Sequence, residues 1–239
     1  MKRSVVVSHL SDRLPSPLIV IVDKLTIEVL PEELILEIFY FYKLACRRSY
    51  GGPKEWEWEW HKLAHVCRKW RTVVFASQRR LDLRLLCTPK TSIQQTLDLW
   101  PAFPIIVKHT WSLDGWDNTI AALQHRNRVC EIDFDFLQVP VRQHSGTIGR
   151  IVASMQESFP ILDHLSFTLS IGIECANSFL GGFAPRLRVL CLDALEYQEF
   201  RLPPILSSAT LLVDLRLERI HSTECIPSEA LVAALSGFD

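Results

Sequence analysis

The chain is predicted to be α/β: a small all-α helical module followed by a solenoid of short parallel strands and return helices. Between residues 30 and 76, apolar side chains recur three and four apart, the period of a helix face. Beyond residue 78 the pattern changes to short strings in which apolar residues alternate with others, the period of a strand. Three of those strings follow Leu162, Leu187 and Leu212 by three residues, and these leucines are 25 residues apart. A fixed period of that length marks stacked supersecondary units, each covering its neighbour's apolar face. The division that follows is an N-terminal extension over 1–25, the helical module over 26–78 and the solenoid over 79–239.

The first helix is expected to start at Pro31, whose fixed φ and missing amide hydrogen suit a first helical turn. Glu32 and Glu33 place negative charge at the positive end of the helix dipole. Leu34, Ile35, Ile38 and Phe39 then form an apolar stripe that needs a partner. A second amphipathic helix is expected where Trp60, Leu63, Cys67, Trp70 and Val74 lie three or four apart with charge between them. The run Trp56-Glu57-Trp58-Glu59-Trp60 reads as a partly buried approach to it, Trp56 and Trp60 being one turn apart.

In the solenoid the strings are Leu81 to Leu85, Ile105 to Val107, Ile132 to Phe134, Leu165 to Phe167, Leu190 to Leu192 and Leu215 to Leu217. From Ile132 their leading residues advance by 33, 25 and 25. Return helices are expected over Asp117 to His125, Thr147 to Ser158 and Ser228 to Leu235, the last capped by Ser228. The longer step predicts a loop insertion near Gln143 to Gly149. Strand alternation turns His164, Ser166 and Thr168 outward, with Val189, Cys191 and Asp193, and with Asp214, Arg216 and Glu218. Glu131, Asp133 and Asp135 extend that face. The candidate substrate surface is therefore Asp133, His164, Ser166, Cys191, Asp193, Asp214, Arg216 and Glu218. Because the chain ends at Gly237-Phe238-Asp239, where another strand is due, an exposed apolar end is expected near Leu231 and Leu235.

Composition fits an intracellular protein, with 48% hydrophobic and 22% charged residues over 239 positions. The longest early apolar run, Leu18 to Val22, is too short for a signal-peptide core or a membrane span, so no membrane association is expected. Seven scattered cysteines with no CxxC pair point to reduced thiols, hence cytoplasm or nucleus. The net charge of −1 hides an asymmetry: residues 43–90 hold twelve Lys and Arg against four acids, and residues 91–239 hold ten against seventeen. A basic block suits nucleic acid or an acidic protein. No reading helix, zinc finger or RNA-binding strand motif accompanies it, so a protein partner is expected and nucleic acid is not.

Catalytic constellations are poor. His61-x-x-x-His65 has zinc-helix spacing, but Lys62 stands where a metalloprotease needs its glutamate, and no third ligand is evident. Neither a Gly-x-Ser-x-Gly elbow nor a Gly-x-Gly-x-x-Gly fingerprint occurs. Gly146-x-x-Gly149 lacks the lysine and hydroxyl of a phosphate loop. No catalytic residue, metal or cofactor is assigned.

Leu30-Pro31-Glu32-Glu33-Leu34, the following Ile38-Phe39, and Val66-Cys67-Arg68-Lys69-Trp70-Arg71 together resemble the F-box, over roughly residues 28–76. The stretch from Tyr40 to Trp60 is longer than that family's usual connection between helices. Phe75 to Leu83 and Trp100-Pro101-Ala102-Phe103-Pro104-Ile105 further resemble a large group of F-box proteins from mushroom-forming fungi. The repeats resemble leucine-rich repeats, although Ser170, Leu195 and Ile220 stand where such repeats place Asn or Cys. The resemblance implies a non-catalytic substrate adaptor of an SCF-type cullin-RING ubiquitin ligase. Leu30, Pro31, Leu34, Ile35, Ile38, Phe39, Leu63, Val66, Cys67 and Trp70 would bind or support the Skp-type linker subunit, and through it cullin. The solenoid would hold a protein substrate. The rival expectation is a scaffold that uses the same helices without ubiquitin transfer.

Overall fold

The computed structural model describes residues 29–49, 60–110, 112, 114–137, 141–168, 179–193 and 203–219. In chain order the elements are α1 Glu32–Ser49, α2 His61–Ala64, α3 Arg68–Ala76, β1 Leu85–Cys87, α4 Ile93–Leu99, β2 Ile105–Thr110, α5 Trp116–Leu123, β3 Val129–Asp135, α6 Val141–Ser154, β4 His164–Thr168, β5 Val189–Asp193, α7 Pro203–Ser208 and β6 Asp214–Glu218. A short 3-10 turn occupies Phe179–Gly182.

The six strands form one sheet in chain order, and every pairing is parallel. Such neighbours need a crossover, and α4 to α7 with the 3-10 turn provide the returns. Ile132, Leu165, Leu190 and Leu215 pair side by side across β3 to β6, so the repeated strings stack residue on residue. One face of the sheet is apolar. Phe134, Leu165, Phe167, Leu190 and Leu192 are buried there against Leu123, Ile148, Ile151, Val152 and Met155 of α5, α6 and the turn after it. Leu162, Leu187 and Leu212 close the core just before each strand. Phe134, Phe136 and Phe167 form a ring cluster with centroids 5.4 to 6.1 Å apart.

The helical module has its own core. Ile35, Phe39, Trp60, Ala64, Trp70, Val73 and Val74 pack with Leu81, Leu83, Leu85 and Phe103, so this cluster runs past residue 78 into β1 and the segment before β2. Pro31 accepts the first helical bond of α1, from the Ile35 amide at 3.1 Å, so it caps the helix and Glu32 begins it.

Several expectations are corrected. Trp60 to Val74 is two helices, because Cys67 is extended (φ −159°, ψ 174°) and α3 leaves α2 at a corner. His65 and Cys67 therefore share no helix. The string Leu81 to Leu85 alternates in burial but is no strand over most of its length: Asp82 is left-handed (φ 46°), and β1 begins only at Leu85. The expected insertion at Gln143 to Gly149 lies within α6, so the 33-residue step is absorbed partly by a longer helix. That helix starts and ends before the expected Thr147 and Ser158. Ser170, Leu195, Ile220, the Trp56 to Glu59 run, the helix expected at Ser228 to Leu235 and the chain end lie outside the described residues.

Gly115 shows why one glycine is required before α5. Its φ is +79°, and a Cβ there would lie 2.1 Å from the Pro89 carbonyl oxygen, which accepts from the Asn118 amide at 2.7 Å. His109 is a core residue: the Ser112 carbonyl only accepts, so Nε2 donates to it at 3.0 Å, and Nδ1 accepts from the Thr119 hydroxyl at 2.8 Å. Its ring stacks on Trp116 at 4.3 Å, and burial holds its pKa below 6.5 against the opposing Ser112 bond.

Candidate functional site

Two surfaces contain the residues singled out from the sequence. On α1 the expected stripe is split between interior and solvent. Ile35 and Phe39 are fully buried, while Leu34 is 50% and Ile38 38% exposed. The reason is angular: at 100° per residue, positions 34 and 38 point one way and 35 and 39 are rotated about 100° from them. Phe41, 63% exposed, is seven residues from Leu34 and three from Ile38, so it continues the outer stripe. Its helical spacing was a readable signal. Pro31 and Val66 are also exposed, and Leu30, Leu63 and Cys67 are half-buried.

Trp70, expected to bind or support a partner, is only 4% exposed and lies 5.5 Å from the Phe39 ring. It supports the outer stripe from behind. Its indole Nε1 is buried without a hydrogen-bond partner among the described residues. Lys69 Nζ donates to the Leu30 carbonyl at 2.7 Å, tying the start of α3 to the start of α1. Residues 60–81 hold Lys62, Arg68, Lys69, Arg71, Arg79 and Arg80 and no acid. None of Arg68, Arg71, Arg79 and Arg80 forms an ion pair among the described residues; Arg71 Nε instead donates to the Ala64 carbonyl at 3.2 Å. His61 and His65 both pack edge-on to Trp100, with centroids 6.2 and 5.7 Å from it.

The second surface is the other face of the sheet. Asp133, His164, Ser166, Cys191, Asp193 and Asp214 line it and are half-buried, while Arg216 and Glu218 are exposed. Pairing gives a middle row of Asp133, Ser166, Cys191 and Arg216, and an end row of Asp135, Thr168, Asp193 and Glu218. Glu131, expected on open surface, is buried instead. Arg84 explains why: crossing β2, it stands 3.7 Å from Glu131, 3.9 Å from Asp163 and 3.4 Å from Asp82. Ile106 of β2, between its strand partners Leu86 and Glu131, is fully buried.

Several charges on this face are paired within the chain. Lys108 stands 3.7 Å from Asp133, Arg216 2.8 Å from Asp214 and Arg219 2.5 Å from Asp193. Burial disfavours the Arg84 charge, but Cys130, Asp82 and Asp163 hold its pKa above the usual arginine range. Burial lifts the Asp163 carboxyl above 3.8, Glu131 and Asp82 adding to the rise while Arg84 and His164 oppose it. Burial pushes the Cys87 and Cys130 thiols up to about 12, so both are protonated at neutral pH and inert as nucleophiles. Among the described residues no helix is long and apolar enough to cross a membrane, and no three His, Cys, Asp or Glu group as a metal site.

Comparison with protein-family models, with curated proteins and with solved structures finds no match to this chain.

Proposed function

We propose that the chain is a non-catalytic substrate adaptor of an SCF-type cullin-RING ubiquitin ligase, its F-box-like helices docking on the Skp-type linker subunit. The observation that carries this reading is the outer stripe of α1: Leu34, Ile38 and Phe41 lie in solvent on the helix whose opposite face builds the module's core. An amphipathic helix of this kind suits a partner's apolar groove. Full burial of each side chain contributes roughly 1.5–3 kcal/mol before the cost of association. Pro31 and Val66, which belong to the F-box-like strings, are exposed as well. Buried Ile35, Phe39 and Trp70 fix the helix from behind, which lowers the ordering cost at the interface.

The six parallel strands form a leucine-rich-repeat-like solenoid in this reading, and its polar face takes the substrate. In-register Ile132, Leu165, Leu190 and Leu215 support the repeat, and the outward rows from Asp133 to Arg216 and Asp135 to Glu218 supply the recognition surface. Co-expression with the linker subunit tests the proposal. The two copurify and bring down cullin from the native cell, and Leu34→Glu with Ile38→Glu abolishes both. A chain that never binds the linker subunit refutes the proposal; binding without cullin favours a scaffold.

A further inference from the structure

We infer that the cationic surface of α2, α3 and the turn after them docks an acidic segment of a partner protein, beside the apolar stripe of α1. The inference rests on the reading of α1 as a partner-binding helix and adds the chemistry of what lies next to that stripe.

Charge comes first. Lys62, Arg68, Arg71, Arg79 and Arg80 are exposed, within a run from 60 to 81 that contains no carboxylate. Elsewhere most arginines of the described structure are used internally: Arg84, Arg126, Arg150, Arg216 and Arg219 pair with carboxylates, and Arg128 donates to the Phe103 and Pro101 carbonyls. Arg68, Arg71, Arg79 and Arg80 have no such carboxylate among the described residues, and like charges held close along one short run repel until an anion covers them.

Continuity comes second. The bond from Lys69 to the Leu30 carbonyl, with the contact of Phe39 on Trp70, sets the start of α3 against the start of α1. Exposed Val66 immediately precedes the corner at Cys67, and Arg68 follows it. A partner covering Val66 thus meets Arg68 two residues on. The same geometry favours a protein over nucleic acid. Glu32, Glu33 and Glu37 are exposed along α1, so a polyanion spanning both helices meets carboxylates, whereas a protein can offer apolar side chains to one and acids to the other.

The test titrates the full chain with poly-glutamate, with duplex DNA and with the linker subunit. Poly-glutamate binds, weakens as salt rises from about 50 to 200 mM, and loses at least about fivefold in affinity in R68Q/R71Q. R68Q alone, which leaves the Arg71 bond to Ala64 intact, shows part of the loss with an unchanged melting curve, and R186Q, at an exposed site near β5, shows none. The inference is overturned if wild type does not bind poly-glutamate at low salt, if R68Q/R71Q binds as R186Q does, or if duplex DNA binds more tightly. If poly-glutamate meets these expectations while the linker subunit fails to bind, the acidic-partner surface stands and the ligase reading falls.

Discussion

The sheet and the helical module treat the same materials in opposite ways. On the sheet, alternate residues enter one core, and the cations of the polar face are paired within the chain: Arg84, just before β1, reaches Glu131 and Asp163, and Lys108, Arg216 and Arg219 each stand beside a carboxylate. In the module the apolar stripe is shared between interior and solvent, and the arginines of α3 and its following turn form no ion pair among the described residues. The module instead leaves Leu34, Ile38 and Phe41 exposed on the helix whose Ile35 and Phe39 are buried, the uneven exposure on which the docking proposal rests.

Three outcomes bear on that contrast. The largest effect belongs to the sheet core: Phe134→Ala removes a fully buried ring that contacts Phe136 and Phe167, and should cost about 3–5 kcal/mol in urea unfolding. A loss under about 1 kcal/mol would mean the ring cluster contributes little to stability. Next comes the split stripe of α1. Ile35→Ala should cost about 2–5 kcal/mol, whereas Leu34→Ser one position away should change stability by about 0.5 kcal/mol or less and improve solubility of the isolated chain. Equal losses at both positions would erase the distinction between inner and outer faces.

The smallest effect is a pH slope from His109. Its folded pKa lies below the unfolded 6.5, so the unfolded chain binds more protons as pH falls from that value; stability is full above about 6.5 and declines toward the folded pKa. His125, lowered by burial and by Arg128, adds a slope of the same sign. Asp163, raised above 3.8, acts oppositely, losing stability as pH rises from that value. Denaturation at about pH 7 and about pH 5 should show a smaller difference in His109→Gln than in wild type, and an unchanged difference would remove His109 as the source.

Much of the architecture was legible because burial follows period. Leu162, Leu187 and Leu212, the strings after them and the outward Asp193 and Asp214 all fall where alternation places them. Misses arose where local backbone geometry overrode the pattern. Apolar spacing continues smoothly from Trp60 to Val74, yet the chain turns at Cys67; alternation runs from Leu81 to Leu85, yet Asp82 is left-handed. Glu131 was assigned to the surface because its position faces outward, yet it is buried, with Arg84, 47 positions earlier in the chain, 3.7 Å away. Phe41 was missed although its spacing from Leu34 and Ile38 announced it.

Strand and helix periods, the parallel stacking of in-phase strings and the basic run from 60 to 81 are written in the order of residues, since each depends on neighbours a few positions away or on a repeat. Which half of the α1 stripe turns inward, that Trp70 is buried against Phe39, and that Arg84 comes to lie beside Glu131 were settled by folding. Those outcomes depend on where distant segments come to lie, and a helix with apolar residues around much of its girth does not itself say which of them its own chain will cover.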